Sequence, residues 1–146
     1  MNEYGLSFPQ LQGLASFLPV FKSPGFMFGH WTRPDRKPNG ALSLPAFEVS
    51  PPVTAFVDAC YRFGWVRNDF DWVEWARSDE HTILRRPEGL EEATTDQLAR
   101  LLTVCIRQDR FVEGGLARDY DTGLLLRILK RAHQLAVESE GTATPS

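Results

Sequence analysis

Cysteine and lysine are scarce in this 146-residue chain, which has two of the first and only Lys22, Lys37 and Lys130 of the second. Two cysteines cannot build a disulfide framework, and neither stands at metal-site spacing from a histidine or from the other. With so few lysines and a net charge of −3, the chain lacks the dense positive field that neutralising a phosphate backbone requires, so direct nucleic-acid binding is disfavoured. No apolar run approaches the roughly 18 residues of a membrane span, and the N-terminus lacks the basic start and apolar stretch of a signal peptide. Gly-x-Ser-x-Gly, Gly-x-x-x-x-Gly-Lys and Gly-x-Gly-x-x-Gly are all missing. The expectation is therefore a non-enzymatic chain with no cofactor, no metal and no membrane association.

What remains is close to the globular average: 42% hydrophobic, 12% aromatic and 24% charged residues. Such a composition disfavours disorder and a coiled coil, and the length suits one domain. The expected organisation is a helical domain over residues 1–137 followed by a flexible tail at 138–146, where the sequence turns small and polar. Cys60 and Cys105 fall among apolar helical positions and read as buried thiols, which suits a reducing cytoplasm. The charge is uneven, with five basic and nine acidic groups in residues 49–93.

The pattern predicts a mainly α fold of about five helices with a short extended or hairpin segment near residues 26–48. The first helix starts near Ser7, runs through Leu11, Leu14, Ala15 and Leu18, and ends at Pro19. Phe26–Trp31 reads as a strand or extended piece, and residues 32–46, with three prolines and Asn39-Gly40, as a loop or hairpin tip. Ser50-Pro51-Pro52 opens a second helix burying Val53, Phe56, Val57 and Cys60, and Gly64 stops it. Asp69 is the expected cap of a short third helix around Trp72 and Trp75. Residues 78–93 read as a charged connection. Thr94 and Gln97 form a capping box for a fourth helix with Leu98, Leu101, Leu102, Cys105 and Ile106 on one stripe. Gly114-Gly115 marks a turn. Asp121 is the expected cap of a fifth helix burying Leu124, Leu125, Ile128, Leu129, Ala132 and Leu135, with Arg127, Lys130 and Arg131 outside that stripe and the last two suited to the helix's negative end.

The densest polar group is Arg107, Asp109, Arg110 and Glu113. Its functional reading is a grip on a carboxylate or phosphate through the arginines, with a carboxylate as base; its structural reading is a salt-bridge network closing the fourth helix onto the next turn. Asp71 and Glu74, three apart, form a carboxylate pair that packing and capping explain better than acid–base work. Trp31, Trp72 and Trp75 are interface candidates if exposed. His30 reads as structural, and His81 and His133 add no constellation.

The set Phe70-Asp71-Trp72…Trp75, Leu101-Leu102-Thr103, Arg107-x-Asp109-Arg110-Phe111-x-Glu113-Gly114 and a final helix containing Gly123 resembles a family of small bacterial and phage proteins known only as a domain of unknown function. The likeness spans roughly residues 50–135 and is looser before residue 50, through Phe28-Gly29-x-Trp31; Gly115 beside Gly114 is a departure. The resemblance implies a compact helical domain and makes Arg107, Asp109, Arg110 and Glu113 the positions to test, with no reaction, cofactor or substrate attached. The leading expectation is a protein-interaction module, a regulator or inhibitor encoded by a phage or mobile element, with an unidentified protein or a second copy of the chain as partner. The alternatives are a protein or enzyme handling a small phosphate- or carboxylate-bearing molecule through the four-residue cluster, and an acidic nucleic-acid mimic.

Overall fold

A computed structural model describes residues 8–143 apart from 34, 35, 37 and 43. The chain is mainly helical with one small antiparallel hairpin, as its periodicity predicts. Helix α1 (Phe8–Ala15) buries Leu11, Leu14 and Ala15. It breaks at Ser16, whose hydroxyl donates to Gly13 O at 2.6 Å. Pro19 does not end it: Pro19 is the third residue of a new helix, α2 (Phe17–Phe21), where a first-turn residue needs no intrahelical N–H donor. Ser7, the expected cap of α1, lies outside the described residues.

Strands β1 (Gly29–Trp31) and β2 (Phe47–Val49) pair with Trp31 opposite Phe47 and His30 opposite Glu48. An Arg36–Leu42 bridge and the Asn39 Oδ1 bond from Ala41 N, 3.0 Å, turn the chain between them. Helix α3 (Pro51–Arg62) opens on its two prolines and buries Val53, Phe56 and Cys60. Gly64 takes φ +83°, and Trp65 N then donates to Cys60 O at 2.8 Å, closing the helix end as the sequence predicts.

The next helices depart from expectation. Asp71, not Asp69, caps α4 (Trp72–Trp75), accepting from Glu74 N at 3.1 Å; Asp69 is engaged by Arg67 instead. The supposed connection after residue 78 contains α5 (Asp79–Leu84), capped by Ser78, which accepts from His81 N. Helix α6 (Thr95–Asp109) carries both bonds of the Thr94–Gln97 capping box and buries the whole predicted stripe. After it, α7 (Gly115–Asp121) ends where Asp121 was expected to begin a helix. The final helix, α8 (Leu124–Ala143), follows Gly123 at φ +88°. It continues past residue 137, the expected end of the helical domain. Lys130 and Arg131 therefore sit in its second turn, nearer the positive end of its dipole than the negative one.

The buried apolar side chains form one cluster. Helix α8 packs on α1, α2, α6 and α7. Phe17, Phe21, Phe26, Phe28, Phe56 and Tyr120 fill the gap left by the short N-terminal elements, with ring centroids 5.0–6.5 Å apart. Tyr120 Oη also donates to Phe21 O at 3.0 Å, satisfying the one polar atom of that cluster's phenol. Both thiols are free and buried, and burial pushes each pKa up, so neither is poised as a thiolate. No helix among the described residues is long and apolar enough to cross a membrane.

Candidate functional site

Arg107 and Asp109 lie in the last turn of α6, and Arg110 and Glu113 in the turn that leads to α7, but no ion pair joins them to one another among the described residues. The expected salt-bridge network is replaced by bonds to the backbone. Asp109 Oδ1 accepts from Leu116 N at 2.9 Å, satisfying a donor in the first turn of α7. Glu113 Oε1 accepts from Phe47 N at 2.6 Å, pinning β2 to the turn. A carboxylate on an amide makes a charge-assisted bond, stronger than a neutral one. Arg110 Nη2 donates to Tyr61 Oη at 3.2 Å, and its guanidinium lies 6.0 Å from that ring's centre. Arg107 is half-buried, and its Nε has no hydrogen-bond partner. Both carboxylates and Arg110 are thus drawn to separate acceptors and donors, and the four groups do not converge.

What the braced turn presents is aromatic. Phe111 is 78% exposed and stacks on the half-buried Trp72, centroids 6.2 Å apart at 27°. Trp31 is 54% exposed and meets Phe47 edge-on at 5.4 Å. Gly114, at φ +82°, leaves room for Trp31: a Cβ there would stand 3.0 Å from Trp31 Cζ2. Tyr61, Phe111, Val112 and Trp31, all exposed, together give the turn and the segments that touch it an apolar rim. Trp75 drops out of this rim because it is buried, with Nε1 donating to Glu80 Oε1 at 2.5 Å. Nothing in the sequence distinguished Phe111 from a core residue except that it lies just beyond the end of the α6 stripe.

Behind the turn lies a cavity of about 290 Å³ that sequence reasoning missed, where His81, Arg85, Cys105 and Asp119 meet Gln108. The signal was the four-residue spacing of His81 and Arg85, hidden in a stretch read as irregular. Arg85 Nε donates to His81 Nε2 at 2.8 Å and Nη1 to Asp119 Oδ1 at 3.0 Å. The Ala76 backbone also lies against the imidazole and opposes the fall of its pKa. The cluster has the residue types of a catalytic site, with Asp119 and His81 both held by Arg85 and the Cys105 thiol kept from ionising by burial.

Burial, then the charge of Arg85, lowers the His81 pKa, against the opposing pull of Asp119. A base whose pKa falls on folding binds fewer protons folded than unfolded in mild acid. Stability should therefore decline as pH drops from about 6.5 to the lowered folded value, then level off for this group. Urea unfolding at steps between about pH 7.5 and pH 5 tests this. The wild type should lose more stability than His81→Gln, and equal slopes would refute the assignment.

The other candidates take plain structural places. Asp71 is a cap, as noted. His30 is exposed on β1, its Nε2 3.6 Å from Glu48 Oε2. His133 is exposed on α8. Among the described residues, no group of three or more His, Cys, Asp or Glu side chains could hold a metal ion.

The sequence profile of one family, the Family of unknown function (DUF6508), matches residues 6–138, and the chain belongs to that family. The match takes in the hairpin as well as the helices. No curated protein and no solved structure matches.

Proposed function

We propose that this chain is a non-enzymatic protein-interaction module that docks its partner on the turn after α6, and that it regulates or inhibits the protein it captures. One observation carries the reading: Phe111, four-fifths exposed, stands on a turn fixed from both sides by Asp109 and Glu113. Exposing a large aromatic forfeits burial worth about 1.5–3 kcal/mol, and fixing its backbone in advance removes an ordering cost from association. Trp31, Trp72 and Arg110 beside it are of the residue types enriched at interface hot spots. The acidic-mimic reading has less support, because Asp69 and Glu80 bond to Arg67, Trp75 and Gln97 rather than standing free.

The test is affinity capture by the full chain from cells that naturally express it, alongside Phe111→Asp and a control at an exposed apolar residue facing α1, Val137→Asp. Loss of a hot spot of about 2 kcal/mol weakens binding some thirtyfold. A protein retained by the wild type and the control should be lost with Phe111→Asp, whose melting temperature stays near that of the wild type. Sedimentation identifies the case in which that protein is a second copy. An identical captured set for all three chains would reject the reading.

A further inference from the structure

On the other side of Arg85, three cationic side chains line a second cavity. Arg127, Lys130 and Arg131 occur at i, i+3 and i+4 of α8 and so project from one face. They form one wall of a groove of about 330 Å³ whose opposite wall is Pro87, Leu90 and Glu91. The dipole does not account for cations in the first two turns of a helix, since its field there is already positive. Their charges are also poorly met. Arg127 donates from Nη1 to Thr122 O at 3.3 Å and from Nη2 to Arg85 O at 3.2 Å, and its Nε is buried without a partner. Both acceptors are carbonyls, which orient the guanidinium but leave its charge uncancelled. Gly123, at φ +88°, leaves the room in which Arg127 folds back; a Cβ there would be 3.2 Å from Nη1.

Arg131 is held likewise, Nε donating to Ala93 O at 2.8 Å and Nη1 to Gln134 Oε1 at 3.4 Å. Its nearest carboxylate is the exposed Glu138, 4.0 Å away. Lys130 is exposed and forms no ion pair with a described residue. On its far side, Lys22 joins Arg127 and Lys130 around a smaller hollow. Inside the groove three cations face one carboxylate, Glu91, in a chain whose net charge is −3.

We propose that this groove binds the phosphate monoester of a small molecule. The surplus of positive charge, two against Glu91 alone and one when Glu138 is counted as well, suits a phosphate monoester, which carries about −1.5 to −2 at neutral pH. Two planar guanidinium groups, pre-oriented by carbonyls, suit the several oxygens of a phosphate, and a flexible ammonium supplies the remaining charge. Leu90 and Pro87 offer an apolar surface to the organic part. The cations are concentrated at one groove instead of being strung along a stripe, which favours a small ligand over a nucleic-acid backbone.

The experiment titrates the full, isotopically labelled chain with inorganic phosphate, AMP, acetate and a short single-stranded oligonucleotide at constant ionic strength, reading amide chemical shifts. Phosphate and AMP should shift residues 87–91 and 127–134 saturably, AMP more tightly, and acetate should leave them unmoved. Lys130→Gln removes an exposed charge without touching the core and should weaken AMP at least fivefold at unchanged melting temperature. Arg127→Lys keeps the charge, loses the fork and should weaken it too. Phe111→Asp should bind AMP normally, which separates this site from the docking turn. The assignment fails if shifts do not saturate, if acetate reproduces them, if Lys130→Gln binds AMP as the wild type does, or if the oligonucleotide binds more tightly than AMP.

Discussion

Replacing Arg67 with methionine is expected to destabilise the fold by about 3 kcal/mol, more than loss of any exposed ion pair would. Arg67 is a buried charge, 8% exposed, in the segment between α3 and α4. Its guanidinium grips Asp69 through Nε and Nη2 and reaches Asp96 Oδ1, in the first turn of α6, at 2.5 Å. Asp96 in turn accepts from Arg100 Nε at 3.1 Å, and Arg100 lies over the Phe70 ring at 4.9 Å. The Arg67 backbone is fixed as well, its N–H donating at 2.9 Å to Thr103 Oγ1, a fully buried hydroxyl on α6. Methionine fills the space but leaves two carboxylates facing each other. Because both stay partly solvated, the cost belongs at the low end of the about 3–5 kcal/mol seen when a buried pair loses one member. Arg67→Lys should fall between, since an ammonium cannot make the paired contact to Asp69. Arg67 also holds the Asp69 carboxyl below its ordinary range, so this contribution is present at neutral pH and is lost as pH falls through the lowered value. Urea unfolding of the three chains at neutral pH decides the matter, and a loss below about 1 kcal/mol for methionine would rule out this account.

Legibility of the helices followed the range over which their signals act. Helix α6 was readable because everything that defines it is local: a reciprocal cap at Thr94 and Gln97, then about two and a half turns of apolar stripe from Leu98 to Ile106. Helix α5 has six residues, of which only His81 and Leu84 are buried, so no periodicity can develop. Its signal was the Ser78 cap, outweighed by the surrounding charge. Helix α7 has seven residues and buries only Leu116 and Asp119. With α7 unseen, Asp121 looked like a start, although Gly123, free to adopt positive φ, is where the chain actually redirects into α8. Pro19 misled for a related reason: a proline that stops one helix is equally at home in the first turn of the next.

The candidate site was legible as a location and illegible as a mechanism. Arg107, Asp109, Arg110 and Glu113 are neighbours in sequence, so their grouping needed no structure. Their engagements are tertiary: Glu113 reaches Phe47, 66 residues away, and Arg110 reaches Tyr61, 49 residues away. Charge complementarity along the chain suggested salt bridges, but backbone amides at a helix start and a strand end need acceptors that a nearby arginine does not replace. The basic groove divides the same way. Its α8 wall is visible as three cations off the apolar stripe, whereas its other wall comes from a segment that had no readable structure.

Gly89→Ala should be the most damaging single methyl group that can be added to this segment. Gly89 has an ordinary φ, so the obstacle is space and not backbone strain. A Cβ there would sit 2.0 Å from Ile83 O and 2.8 Å from Leu84 O, both backbone atoms at the end of α5. Ordinary contact needs more than 3.4 Å, and backbone cannot swing aside as a side chain would. Ile83 O also accepts from Arg86 N at 3.1 Å, so forcing the two sides of this turn apart breaks the bond that closes α5. Leu84 and Leu90, both buried in the core on either side of this contact, would be displaced with it at a cost in packing. Overpacking, a lost bond and imperfect repacking together suggest about 3 kcal/mol or more, which for a chain of this size lowers the melting temperature by about 10 °C. Gly13→Ala gives the opposite sign from the same chemical change: no atom lies within 4 Å of its added Cβ inside α1. Alanine at that site should stabilise by about 0.5–1 kcal/mol through helix propensity. Thermal unfolding of both variants separates the two cases, and a Gly89→Ala loss of less than about 3 °C would mean that the connection after α5 yields far more easily than its contacts imply.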